Sequence, residues 1–157
     1  MPKLILIDGP VASGKTTTCY ALKDKLKDYA FVDREIIKRL LKHSGKQDAK
    51  VITDKTINFI VAELMKLNKN ILIQEKNPKD LEKIIKKYGK KYQIYSFYLK
   101  CSLNEAIKRD RERGDNTEIS IIKREYEFSP PKEKEIIIDT EKNNLNKTLK
   151  MILDSIK

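Results

Sequence analysis

Residues 4–18 read LILIDGPVASGKTTT, a run of branched apolar residues directly before a loop with two glycines, a lysine and three threonines. Gly9-Pro10-Val11-Ala12-Ser13-Gly14-Lys15-Thr16 satisfies the pattern Gly-x-x-x-x-Gly-Lys-[Ser/Thr] without a substitution. A chain of average composition and this length meets it by chance on the order of once in two hundred, so an ordinary glycine turn is the weaker reading. Its flanks agree, since Lys3 to Ile7 reads as a buried strand and Lys15 to Lys27 as a helix with Ala21, Leu22 and Leu26 inward. Gly9 and Gly14 let the backbone turn tightly and approach an anion. The amides around Ala12, Ser13 and Gly14, with the positive end of the helix dipole, then converge on the phosphates of a nucleotide. Lys15 adds a mobile full charge for the β- and γ-phosphates, the Thr16 hydroxyl completes the shell of a bridging Mg²⁺ ion, and Thr17 neighbours the α-phosphate. Asp8 either orients this loop or is a satisfied carboxylate at the strand end.

Outward from the loop, strands and helices alternate. Tyr29 to Asp33 is a second strand, followed by Ile36, Ile37, Leu40 and Leu41 at helical spacing with a stop near Ser44-Gly45. A helix from about Asp48 to Leu67 leads to a third strand, Asn70 to Glu75, and then to a helix opened by Pro78 and closed by Gly89. Tyr92 to Leu99 is a fourth strand, and Ser102 with Glu105 forms a capping box for a helix ending at Gly114. Helix Thr117 to Glu127, the break Ser129-Pro130-Pro131, strand Glu135 to Asp139 and helix Leu145 to Ile156 complete the chain. Strands separated by helices imply a parallel sheet with helices on both faces, a three-layer α/β fold.

The chain has 157 residues, 39% of them hydrophobic, which suits one domain with a sizeable core. No apolar run approaches the roughly 20 residues of a membrane span, and no signal-peptide pattern precedes the first strand, so the cytoplasm is the expected location. Cys19 and Cys101 lack metal-ligand spacing and read as small core side chains. The net charge of +11 attracts polyanions such as nucleic acid or phosphorylated metabolites, although biased genomes and high-temperature adaptation also produce Lys-rich chains.

Two features bear on what is done with the nucleotide. Asp33 ends the second strand, at the carboxyl edge where parallel sheets bind ligands, and a carboxylate there orients an acceptor hydroxyl and takes its proton. Its structural role is the N-cap of the next helix, and the two roles are compatible. In NEAIKRDRERGD, residues 104–115, Arg109 and Arg113 share a helix face and either present two guanidinium groups to a transferring phosphoryl or pair with Glu105 and Glu112. For Arg111 the ion pair is preferred. The single histidine, His43, reads as a helix-terminal surface residue. Tyr88, Tyr92, Tyr95 and Tyr98 among lysines read mainly as strand packing, with single-strand binding as the alternative.

The phosphate loop, Asp33, ILIQEKNPKDLEKIIKKYG at 71–89, AIKRDRERG at 106–114 and FSPPKEKEIIIDTEKN at 128–143 together resemble the small P-loop kinases. Within them the closest pattern is the polynucleotide 5′-hydroxyl kinase group with its AAA-type relatives. The resemblance implies a single α/β/α P-loop NTPase domain over 1–157, a five-stranded parallel sheet like that of nucleoside monophosphate kinases, and a small lid around 103–127. It implies ATP and Mg²⁺ as cofactors, Lys15 and Thr16 on phosphates and metal, Asp33 as general base, and Glu75 near the metal's water shell. It further implies Arg109, with Arg113, as lid arginines, and Asp139-Thr140 beside the adenine. In the polynucleotide kinases an arginine commonly stands three residues after the strand-two aspartate, whereas here Ile36 does, leaving Arg34, Lys38 or Arg39 as substitutes. The expected activity is ATP-dependent phosphorylation of a hydroxyl, with a 5′-hydroxyl polynucleotide end as favoured acceptor. A nucleoside, nucleotide or small-metabolite kinase is the alternative, and a nucleic-acid-binding or regulatory NTPase is a third class.

Overall fold

Unbroken runs of branched residues make strands that suit burial on both faces, which is the setting of a parallel sheet. The computed structural model describes residues 1–41, 45–74 and 79–157. Its strands are β1 (Lys3–Asp8), β2 (Tyr29–Asp33), β3 (Asn70–Gln74), β4 (Gln93–Lys100) and β5 (Ile136–Asp139). They form one five-stranded parallel sheet in the order β2-β3-β1-β4-β5. The helices are α1 (Lys15–Lys25), α2 (Arg34–Leu40), α3 (Lys46–Lys66), α4 (Lys79–Tyr88), α5 (Leu103–Glu112), α6 (Ile119–Phe128) and α7 (Leu145–Ser155), with a 3₁₀ turn at Gly89–Lys91. The chain divides into two compact units, Met1–Leu6 with Leu26–Tyr95, and Ile7–Lys25 with Ser96–Lys157.

In the first unit β2 runs beside β3, with Tyr29 level with Asn70 and Asp33 level with Gln74. The long helix α3 buries Ala49, Thr53, Ile57, Val61 and Met65, a stripe at four-residue spacing that faces the core. Ile57, Val61 and Met65 pack with Val32, Ile71 and Ile73, and each fully buried aliphatic side chain contributes roughly 2 kcal/mol by area. Helix α2 buries none of its residues: Ile36 and Leu40 are exposed, and Ile37 alone of its apolar residues leans on this core. Tyr92 is buried in this core, with Tyr88 packed against it, and donates to Lys69 O at 2.9 Å. The expected stop at Ser44 and the expected first-turn Pro78 lie outside the described residues, as do His43 and Glu75.

In the second unit β4 pairs with β5, from Phe97 beside Ile136 to Lys100 beside Asp139. Helix α1 lies against α7 and α5 against α6. One expected helix start holds with half of its capping box, and another is corrected. Ser102 caps α5 by accepting from Glu105 N at 3.2 Å, but the capping box is only half made. The Ser102 N–H goes to Glu141 Oε2 at 2.8 Å, because the Glu105 carboxylate is engaged by Arg109. Thr117 does not begin α6, since its N–H and hydroxyl both donate to the buried carboxylate of Asp110, at 2.8 and 2.7 Å, and the helix starts at Ile119. The Thr117 hydroxyl, foremost, holds the Asp110 carboxyl below the usual range.

Candidate functional site

The phosphate loop leaves β1 at Asp8, whose Oδ1 accepts from Gly9 N at 2.6 Å. The carboxylate therefore orients the first peptide of the loop. Burial pushes the Asp8 carboxyl above the usual range, against the opposing pull of that amide. Gly9 takes φ 144° and Gly14 φ 96°, and Ala12 adopts the left-handed φ of 57° without being glycine. A Cβ on Gly9 would stand 2.2 Å from Leu99 O and 2.8 Å from Ser13 Oγ. Only glycine fits. Gly9→Ala is expected to lower stability by about 3–5 kcal/mol, from positive-φ strain and the clash with rigid backbone, which a urea midpoint measures; an unchanged midpoint would contradict this packing.

Lys15 opens α1 and curls back over the loop, donating from Nζ to Gly9 O at 2.6 Å and Pro10 O at 2.5 Å. Thr16 and Thr17 follow in the first turn with exposed side chains, while Ser13 is fully buried with its Oγ unpartnered. The Thr16 hydroxyl is a hard oxygen of the kind Mg²⁺ uses. Mg²⁺ keeps most of its shell as water and phosphate oxygen, so a protein cage is not required, and among the described residues there is no cluster of three or more His, Cys, Asp or Glu that would form one. Glu75, expected beside the metal, lies outside the described residues.

Arg109 is the hub of this unit. Its Nε donates to Glu105 Oε1 at 2.8 Å, Nη1 to Thr140 Oγ1 at 3.0 Å and Ala12 O at 3.4 Å, and Nη2 to Thr140 O at 2.9 Å. The i,i+4 pair with Glu105 forms, and the same guanidinium reaches the phosphate loop at Ala12 O. Arg113 pairs with Asp115 at 2.9 Å, and Arg111 with Asp110 at 3.3 Å rather than with a glutamate. Thr140 is pinned by its hydroxyl, which donates to Ser13 O at 2.8 Å. The Asp139 carboxylate accepts from Glu141 N and Lys142 N at 3.0 and 3.2 Å, so it shapes the turn after β5.

A cavity of about 430 Å³ opens here, lined by Gly14, Thr17, Arg109, Arg113 and Thr140 among others. Asp139 is not among its lining residues. Asn143, Asn144 and Thr148 of the α7 approach are, and the motif reading missed them, although the Asn143-Asn144 pair before a helix marks a cap facing the loop. Also missed were Glu125 and Tyr126 of α6, which bond to Val11. Ile122 is fully buried, and spacing of three and four from it puts an acid and a phenol on the buried face of α6.

In the first unit Asp33 is buried and caps α2, its Oδ1 accepting from Glu35 N at 2.8 Å. A second cavity of about 560 Å³ lies between α2 and α3, lined by Arg34, Lys38, Arg39, Lys46 and Lys50 together with Glu35 and Thr53. Arg34 is anchored by Asp54 at 2.5 Å. All three of the substitutes for the missing arginine face this one cavity, whereas Ile36 is absent from its lining and half exposed. The lysines around Tyr88 to Tyr98 line neither cavity.

Comparison with known proteins agrees with this fold. A model of the AAA domain family matches residues 5–130, more than half of the chain. The cytidine diphosphoramidate kinase of Campylobacter jejuni subsp. jejuni is 27% identical, with 99% of this chain and 96% of that protein covered. Among solved structures, the APS kinase CysC of Mycobacterium tuberculosis in complex with AMPPNP and APS superposes with a TM-score of 0.71 at 14% identity, over 99% of this chain and 97% of that one. A chain of the Pnkp1/Rnl/Hen1 RNA repair complex gives a TM-score of 0.67 at 20% identity, over 79% of this chain and 42% of that one. No helix among the described residues is long and apolar enough to cross a membrane. With its phosphate loop on a parallel sheet, the chain belongs to the AAA domain family, and over nearly its whole length it is similar to kinases.

Proposed function

We propose that the protein transfers the γ-phosphoryl group of ATP to a hydroxyl of a small, phosphate-bearing acceptor of nucleotide type. The observation that carries this reading is the cavity of five basic side chains on α2 and α3, beginning at the residue after Asp33. A neutral sugar has no use for that charge. The name of the Campylobacter relative, a kinase of a cytidine diphosphoramidate, supports a nucleotide derivative. The 5′-hydroxyl end of a polynucleotide is the second reading, favoured by the net charge of +11 and the fold likeness to an RNA repair protein.

In either case Lys15 and the loop amides bind the β- and γ-phosphates, and Arg109 with Arg113 adds charge as the bond to the leaving oxygen loosens. The Thr16 hydroxyl would hold a Mg²⁺ ion bound with ATP, which would supply neutralising charge for the phosphates. The acceptor oxygen attacks the γ-phosphorus, Asp33 takes its proton, and ADP leaves. Thr140 and the asparagines of the α7 approach accommodate the base.

The test offers γ-labelled ATP with separate pools of nucleotides, nucleosides, sugars, 5′-hydroxyl RNA and 5′-hydroxyl DNA. Label in the nucleotide pool is expected. Label confined to polynucleotide ends, with a KM that climbs steeply as salt rises, would establish the second reading instead. Label only in sugars or phosphate-free nucleosides contradicts both, and label only in inorganic phosphate removes the kinase assignment.

A further inference from the structure

We infer that Glu125 and Tyr126 are positioning residues for the phosphate loop, gripping both polar groups of Val11 from α6 and so holding the loop in its anion-binding shape; this rests on the reading of the loop as the ATP site. Val11 N donates to Glu125 Oε2 at 3.1 Å, and Val11 O accepts from the Tyr126 hydroxyl at 3.4 Å. Two adjacent residues of one helix thus hold the amide and the carbonyl of a single loop residue. Burial keeps the phenol of Tyr126 protonated, so it remains a donor. The same hydroxyl lies 3.2 Å from Cys101 Sγ, and that thiol reaches Ala12 O at 3.8 Å, which carries the grip one residue along. Beneath these bonds Val11 and Ala12 pack with Ala106 of α5 and Ile122 of α6 in a small apolar cluster.

The grip has a specific target. Ala12 holds φ 57°, a left-handed conformation that a residue with a Cβ keeps only when its surroundings over-determine it. Fixing the residue before it does that. The Val11 N–H, turned to a carboxylate, is removed from the set that can face an anion, and the amides after the Ala12 turn are left to the phosphates. Neither Glu125 nor Tyr126 needs to touch the nucleotide for this, so they act through the loop.

Three variants, Glu125→Ala, Glu125→Gln and Tyr126→Phe, are compared for ATP affinity by calorimetry, for kcat, and for acceptor KM. Glu125→Ala is expected to weaken ATP binding about tenfold and Tyr126→Phe about threefold, the scale of a lost charged and a lost neutral hydrogen bond. Glu125→Gln keeps an acceptor oxygen and stays within about twofold. In all three kcat at saturating ATP and acceptor KM hold within about twofold. ATP affinity unchanged in Glu125→Ala overturns the inference, and so does Glu125→Gln as weak as Glu125→Ala, which would make charge rather than the grip responsible. Amide exchange of Val11 in the unmodified, nucleotide-free protein gives an answer even where a variant fails to fold: slowed exchange is expected, and exchange at the free-peptide rate overturns it. Should the unmodified protein not bind ATP at all, the functional reading fails while the Val11 exchange rate still reports on the grip.

Discussion

Asp33→Asn is expected to reduce phosphoryl transfer to the acceptor by about a hundredfold or more while ATP affinity stays within about twofold. General bases contribute roughly a hundred- to ten-thousandfold, and an amide cannot take the acceptor proton. The substitution is informative because Asp33 has a second job. Its Oδ1 accepts from Glu35 N at 2.8 Å and caps α2, and Asn is as good an N-cap as Asp. The helix therefore survives, and the urea midpoint stays that of the unmodified protein. Asp33→Ala supplies the contrast, losing the cap, worth about 1 kcal/mol, together with the base. Equal transfer rates in Asp33→Asn and the unmodified protein would leave Asp33 as a cap alone.

Lys15→Ala is expected to lower kcat by about a hundred- to a thousandfold and to weaken ATP binding as well, since the ammonium is the one full charge that the loop itself brings to the phosphates. Its bonds to Gly9 O and Pro10 O, at 2.6 and 2.5 Å, hold the side chain across the loop, where bound phosphate would compete for the same donor. A drop in ATP affinity with kcat intact would make Lys15 a binding group with no part in stabilising the transition state. Full activity in this variant would remove it from the site altogether.

The parts of this molecule that were legible in its sequence are those whose causes are local. Branched runs such as Leu4 to Ile7 announce buried strands, and Gly9 and Gly14 announce a loop because no other residue takes their backbone angles. Asp33 at a strand end was readable as the cap of α2 for the same reason. What escaped depends on partners outside the local motif, near or far along the chain. Ser102 and Glu105 have the spacing of a capping box, yet Glu141, 39 residues after Ser102, takes the Ser102 amide and frees Glu105 for Arg109. Thr117 has the look of a helix start and is instead spent on Asp110. The cavity between α2 and α3 needed the fold, because Lys46 and Lys50 join Arg34, Lys38 and Arg39 only once α3 turns back beside α2. Two acids on buried helix faces call for a polar partner: Asp110, four residues after the buried Ala106, and Glu125, three after the buried Ile122.

Thr140 bears on where the working unit of this protein stops. The family match ends at residue 130, but the Thr140 hydroxyl closes on Ser13 O, its own peptide accepts from and donates to Arg109 and Lys100, and the neighbouring asparagines line the cavity by the loop. A fragment cut at the edge of the family match would keep every residue of the glycine motif and lose the partners that hold Arg109 against it. The recognisable signature and the smallest piece able to clasp a nucleotide are therefore different lengths, and the longer one runs through β5 and α7.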